Sequence, residues 1–460
     1  MRQRWIVIGV VVGLLACVLV LAALGAAAWL WWRSTPASPL MEPPVPGLAT
    51  RAPDAPTATP YVPASLEEQM AHIEGLVIEL RGLQPDHDVE KFMFSEEELR
   101  ERVESDWLED YTPEEARIDT LTWAAFDLIP PDTDLYDLYL DLYTEQVAGF
   151  YDSEIEEIYI VSPDAERLSA IEEATYAHEY DHLLQDQTYD LDALLPADDD
   201  EWYEAHPDES RARLALIEGD AVLAEQIYLF EYFTPEQMQE MIEEYDTFEF
   251  PVLDNAPEIV QRDLFFPYDA GLDFVTEVFG QGGWEAVDQV WADPPRSTEQ
   301  VMHPERYFEG DEPQPVSLEP IGDALPGWEL IREQPFGEFM LLVYLEQHLS
   351  ASHAASLAEG WGGDFYAVYH NPDDDRLAFV LRVVWDDSDE ADEFFKGFQD
   401  FGNEWAGGEA SVEAEGLTCW QAADTLCVAL DGTDSVVVRA PDQAAADSML
   451  APYALGVAVP

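Results

Sequence analysis

Ala177-His178-Glu179-Tyr180-Asp181-His182-Leu183-Leu184-Gln185 is the stretch on which the reading of this chain turns. Ser169, with Glu172 three residues on, opens a helix by a capping-box pattern, and Ile171, Ala174, Thr175, His178 and His182 follow at helical spacing. Positions i and i+4 share one helical face, so two imidazoles there reach one tetrahedral ion at about 2.0–2.1 Å. Glu179 is turned about 100° from His178, so its carboxylate meets a water beside the ion and not the ion itself. The chain has nine histidines in 460 residues, which makes a chance match improbable. The pattern predicts Zn2+ as cofactor, His178 and His182 as ligands, and Glu179 as general base.

Outward from this helix, Glu157-Ile-Tyr-Ile-Val161 reads as a short strand, and charged helices precede it around 95–106, 113–126 and 134–147. Downstream, a loop rich in Asp and Pro (195–207) leads to a second helix over about 209–230, which carries Ala215-Leu-Ile-Glu218-Gly-Asp220-Ala221. The H-E-x-x-H segment resembles the zincin metallopeptidases. The metzincin extension fails, because Gln185 and Thr188 stand where that branch has Gly and His. Gluzincins, the thermolysin-like branch, take a third ligand from a downstream helix, and the resemblance implies Glu218 for that role. Glu218 sits behind the apolar run 214–217, whereas Asp220 falls nearly on the opposite helical face.

Asp181 departs from the zincin pattern, which usually has an uncharged residue there; it faces outward or supports a histidine. Asp186 continues the His178–His182 face and is a candidate to orient a ligand. His206 is a second-choice ligand, disfavoured by its loop beside Pro207. The resemblance also implies that the strand Glu157–Val161 is a sheet edge that pairs with substrate backbone. It further implies an oxyanion-stabilising residue, for which His303 is the candidate, with Tyr307 and Arg296 as alternatives in the segment 294–307. Taken from Gly149-Phe-Tyr-Asp152 to His303-Pro304, the chain is similar to single-pass membrane-anchored bacterial proteins of metallopeptidase type. That similarity brings no substrate.

Composition sets the surroundings. With 97 acidic and 20 basic residues the formal net charge is −77 and the pI about 4.1. Such a surface repels nucleic acid, and screening of its self-repulsion by salt is a further expectation. Arg2 and Arg4 precede an apolar run from Trp5 to Trp32, longer than the roughly 20 residues that span a bilayer. The run predicts a signal anchor in the lipid bilayer through residues 5–32, a cytoplasmic stub, and a catalytic domain outside the cytoplasm at the cell membrane. Cys17 lies within it. Residues 34–63 read as a Pro/Ala/Thr-rich linker.

The fold class expected is α+β. After the transmembrane helix (1–33) and linker come a mostly helical zincin-like domain with a small sheet (64–310) and a C-terminal α+β domain (311–460). Cys419 and Cys427 lie on the two arms of an expected hairpin, as a disulfide or as two buried thiols. Gly360-Trp-Gly-Gly363 reads as a turn. The activity expected is zinc-dependent hydrolysis of a peptide or protein substrate. The alternative is a zinc-containing surface binding or scaffold protein without turnover.

Overall fold

The computed structural model describes residues 63–453 except 109–110, 163–165, 197–198 and 322–323. Its main elements are α1 (Leu66–Arg81), β1 (Glu90–Phe94), α2 (Pro113–Ala125), α3 (Leu135–Gln146), β2 (Gly149–Asp152), β3 (Glu157–Val161) and α4 (Ala170–Tyr189). Two long helices follow, α5 (Pro207–Tyr232) and α6 (Glu258–Gly282). Then come β4 (Glu329–Gln334), α7 (Glu338–Glu346), β5 (Trp361–Asn371), β6 (Arg376–Trp385) and α8 (Ser388–Ala406). The chain ends in β7 (Val412–Ala414), β8 (Leu417–Gln421), β9 (Thr425–Asp431), β10 (Asp434–Ala440) and α9 (Gln443–Leu450). Shorter helices, including Thr298–Met302 and Pro304–Glu309, link these.

Helix α4 starts where its sequence dictates. The Ser169 hydroxyl accepts from the Glu172 amide while the Glu172 carboxylate accepts from the Ser169 amide at 2.7 Å. Residues 170–171, 174–185 of α4 are all buried, so the helix runs through the interior instead of lying on the surface. Helices α5 and α6 cross at bare backbone. A Cβ on Gly219 would lie 2.2 Å from the Gly271 carbonyl oxygen, and one on Gly271 would lie 2.2 Å from that of Ala215. Only glycine permits that approach.

Two sheets are present. The small one has order β1-β3-β2, with β1 parallel and β2 antiparallel to β3. Thus β3, expected at an edge, is the central strand. Its partner β1 was not legible because Glu-Lys-Phe-Met-Phe is short and half charged. The large sheet is antiparallel in the order β4-β5-β6-β10-β9-β8-β7. Cys419 and Cys427 face each other across β8 and β9 and are joined by a disulfide.

One hydrophobic core runs across the expected boundary at 311. Phe126, at the end of α2, stacks on Phe336 at 4.7 Å and on Phe379 of β6 at 4.3 Å. Helix α7 is buried from Glu338 to Leu345 within the same core.

The sequence expectation of an N-terminal transmembrane helix is corrected here, and with it the single-pass, cell-membrane location. No helix among the described residues is long and apolar enough to cross a membrane. The longest, α5 and α6, have the length but carry charges along it, such as Arg211, Glu218, Asp220 and Glu225 on α5. The run 5–32 itself, with Cys17 and the bilayer contact, lies outside the described residues. What the described chain shows is a mixed α/β structure, largely helical to residue 309 and sheet-rich after 329.

Candidate metal centre

Helix α4 presents His178 and His182 to the middle of α5, and the three side chains His178, His182 and Glu218 converge in the interior. The Nε2 atoms of the two histidines are 3.0 Å apart. Glu218 Oε2 lies 3.3 Å from the first and 3.4 Å from the second. Three corners of a tetrahedron drawn around an ion at 2.0–2.1 Å stand about 3.3 Å apart. The triangle therefore has the size a zinc ion requires.

The proton positions agree with it. The Gln185 amide donates through Nε2 to Asp181 Oδ2 and to the Ile217 carbonyl, both at 3.1 Å. Its Oε1 can then only accept, and it lies 2.9 Å from His182 Nδ1. That assigns the proton to Nδ1 and leaves the Nε2 lone pair facing the triangle. His178 Nδ1 faces the Glu225 carboxylate, 3.4 Å from Oε2, without a hydrogen bond of normal geometry. Two imidazole nitrogens and a carboxylate oxygen crowd one buried point, and Glu218 Oε2 has no hydrogen-bond donor. Electron-rich atoms this close are stabilised by a cation among them, a proton or a metal ion.

The electrostatics favour positive charge at this point. Burial alone would lower the His178 pKa, but Glu218 and Glu225 outweigh it and raise it to about 10. Glu218 is fully desolvated, which works against its charge, yet His182 and His178 bring its pKa down to about 2.

Glu179 differs from every carboxylate around it. It is wholly buried, and neither of its oxygens has a hydrogen-bond partner of normal geometry. Burial raises its pKa to about 7, with His178 and His182 pulling the other way. The Tyr151 backbone N–H on β2 adds a small lowering effect without making a normal hydrogen bond. Val161 N–H donates to the Ala148 carbonyl at 2.8 Å, so in the β2–β3 register Phe150 and Asp152 turn their polar groups to β3. Gly149 and Tyr151 turn theirs outward from the sheet, on the Glu179 side.

Other residues singled out in the sequence have different tasks. Asp220 accepts from Arg81 Nε and a second guanidinium nitrogen, each at 2.8 Å, and from Trp291 Nε1 at 2.9 Å. It is the buried anchor of α1 and not a ligand. Asp181 is buried, not outward-facing, and acts on His182 through Gln185. Asp186 accepts from the Tyr151 hydroxyl at 2.7 Å and from the Leu191 amide at 3.1 Å, so it orients no histidine. His206 caps the helix Asp200–Ala205 and faces the Trp202 carbonyl at 2.8 Å.

The segment 294–307 is a structural joint. His303 Nε2 is held by Glu338 Oε1 at 2.9 Å, and the structure does not bring it to the triad. The Tyr307 hydroxyl donates to the Asp293 carbonyl, and Arg296 pairs with Glu312. Glu299 gathers with Asp311 and Asp386, but Arg306 already lies among the three. Sequence reasoning missed Gln185, Glu225 and Arg81. Glu225 carried the signal that marked Glu218, a glutamate behind an apolar run seven residues further along the same helical face.

A cavity of about 230 Å3 opens against Glu218 between α2, α3, α5, α6 and β4. Residues 329–450, from the first residue of β4 to the last of α9, match a family described as a domain of unknown function (DUF8575). No curated protein and no solved structure matches the chain.

Proposed function

We propose that the chain is a zinc-dependent metallopeptidase of gluzincin type, with His178, His182 and Glu218 as ligands and Glu179 as general base. The observation that carries this is the triangle of ligand atoms beside a buried, unpartnered glutamate. A zinc ion held by His178, His182 and Glu218 would supply Lewis acidity for a substrate carbonyl and for a bound water near neutral pH. Glu179 takes a proton from the attacking water as its oxygen bonds to the carbonyl carbon. It returns that proton to the leaving nitrogen as the C–N bond breaks. A carboxyl whose pKa lies near 7 can do both at neutral pH. The outward-turned backbone groups of Gly149 and Tyr151 suit an extended peptide laid beside β2. The edge role expected of β3 thus passes to its neighbour.

A non-catalytic zinc scaffold has no use for Glu179: an isolated buried carboxylate is costly, and a structural site would recruit a fourth protein ligand. The test is metal analysis of the purified full chain, followed by digestion of a diverse peptide library. One zinc per chain is expected. Glu179→Gln should keep the zinc and cleave on the order of 10²–10⁴-fold more slowly. Equal cleavage by both proteins, or no stoichiometric zinc, overturns the reading.

A further inference from the structure

The cavity beside Glu218 has a chemistry that the metal site does not explain. Tyr139, Tyr143, Tyr203 and Tyr268, with Leu214 and Leu264, give it aromatic and aliphatic walls. Its two arginines are already matched. Arg211 Nε donates to Asp263 Oδ1 at 2.7 Å, and Arg332 donates to Asp119 Oδ1 at 2.6 Å. Of the other charged residues on its lining, Glu204 is exposed to solvent and Glu218 belongs to the ligand triangle, so the inner walls are aromatic and aliphatic. The volume of about 230 Å3 lies below the roughly 300–1,000 Å3 of a pocket for a whole small molecule, so it suits one large side chain.

Its placement ties it to the reaction. Pro207, Arg211, Leu214 and Glu218 line it at spacings of four, three and four, one face of α5. That face runs about 16 Å from the start of the helix to the third ligand. An occupant therefore reaches the metal ligand along α5. The opposite wall belongs to the segment with no assigned function: Arg332 and Gln334 stand on β4, the outermost strand of the large sheet.

Resting on the peptidase reading above, we propose that this cavity is the side-chain specificity pocket. It takes a bulky aromatic or large aliphatic residue beside the cleaved bond, and the C-terminal sheet forms part of it through Arg332 and Gln334. The C-terminal segment is then a component of the substrate site and not an appendage. A substrate with a small residue at that position leaves the rings facing water and binds more weakly.

The test uses two zinc-binding probes, acetohydroxamate and 3-phenylpropanehydroxamate, titrated calorimetrically into the full chain with and without zinc. The second is expected to bind at least tenfold tighter, and only with zinc present. Leu264→Trp fills the cavity from α6, and Gln334→Trp fills it from β4. Each should bring the affinity ratio close to one while zinc stoichiometry and the unfolding midpoint stay as in the wild type. If one variant fails to fold, the other still decides. A wild-type ratio near one, or a ratio untouched by a folded variant, overturns the pocket while leaving the metal centre standing. Absence of zinc-dependent binding by either probe removes the metal reading and the pocket with it.

Discussion

Gln185 has the smallest role that the sequence could not suggest and the clearest one in the structure. An amide held by two acceptors fixes which nitrogen of His182 carries the proton. Removing such a partner typically costs 10–100-fold in metal affinity. Gln185→Ala should therefore weaken zinc binding by about that factor with the fold intact, read by competition with a chromophoric chelator. Unchanged affinity would refute the assignment of the His182 tautomer. The raised His178 pKa adds a second expectation. Protons compete with the metal below that pKa, so zinc affinity should rise with pH, about tenfold per unit for each proton displaced. Titrations at pH 6.5, 7.5 and 8.5 would show it, and a flat profile would contradict it. His178, Glu179 and His182 were legible because a helical period relates them directly. Glu225 and Gln185 were harder to see, since in so acidic a chain one glutamate resembles the next until burial singles it out.

At the scale of elements, the centre depends on how α1, α4, α5 and α6 are clamped. Arg81 of α1 and Asp220 of α5 form a pair with both side chains fully buried. Burial opposes the Arg81 charge, but Asp220 more than restores it. Arg81→Met leaves Asp220 buried without its cation and should cost about 3–5 kcal/mol in urea unfolding, much of it recovered in the double variant with Asp220→Leu. The glycine crossing sets the distance from α5 to α6 and hence where Glu218 stands. Gly271→Ala should cost about 1–3 kcal/mol through overpacking. Two imidazole nitrogens and one carboxylate suit zinc and not calcium, which takes six to eight oxygen ligands, so Ca2+ should not displace zinc.

The joint at 294–307 behaves differently. Asp208 accepts from the Thr298 hydroxyl at 2.6 Å and its amide at 3.0 Å, and burial raises its pKa to about 7. A carboxyl with a raised folded pKa contributes stability below its unfolded value near 4, and that stability is lost as pH rises through about 7. The melting temperature should fall between pH 5 and pH 8, and less steeply in Asp208→Asn. Parallel slopes would exclude Asp208 as a source. The concentration of unusual residues here looked catalytic in the sequence, but they serve to hold three segments together, which no local pattern could reveal.

For the molecule as a whole, a net charge of −77 is a standing repulsion. The screening length shrinks from about 10 Å at 0.1 M salt to about 3 Å at 1 M. The melting temperature should rise by several degrees between 0.1 and 2 M sodium chloride, and a flat response would mean the repulsion is already relieved locally. The change of character after residue 311 was legible from alternating strands, but the continuity of the core was not, because contacts distant in sequence leave no periodic trace. Phe126 shows what that continuity entails during synthesis. Its stacking partner Phe379 is translated roughly 250 residues later, which at about 5–20 residues per second is on the order of 10–50 s. Until Phe336 and then Phe379 emerge, Phe126 lacks both of these stacking partners. Shielding of that apolar ring from other chains until β6 arrives is thus a condition of correct folding.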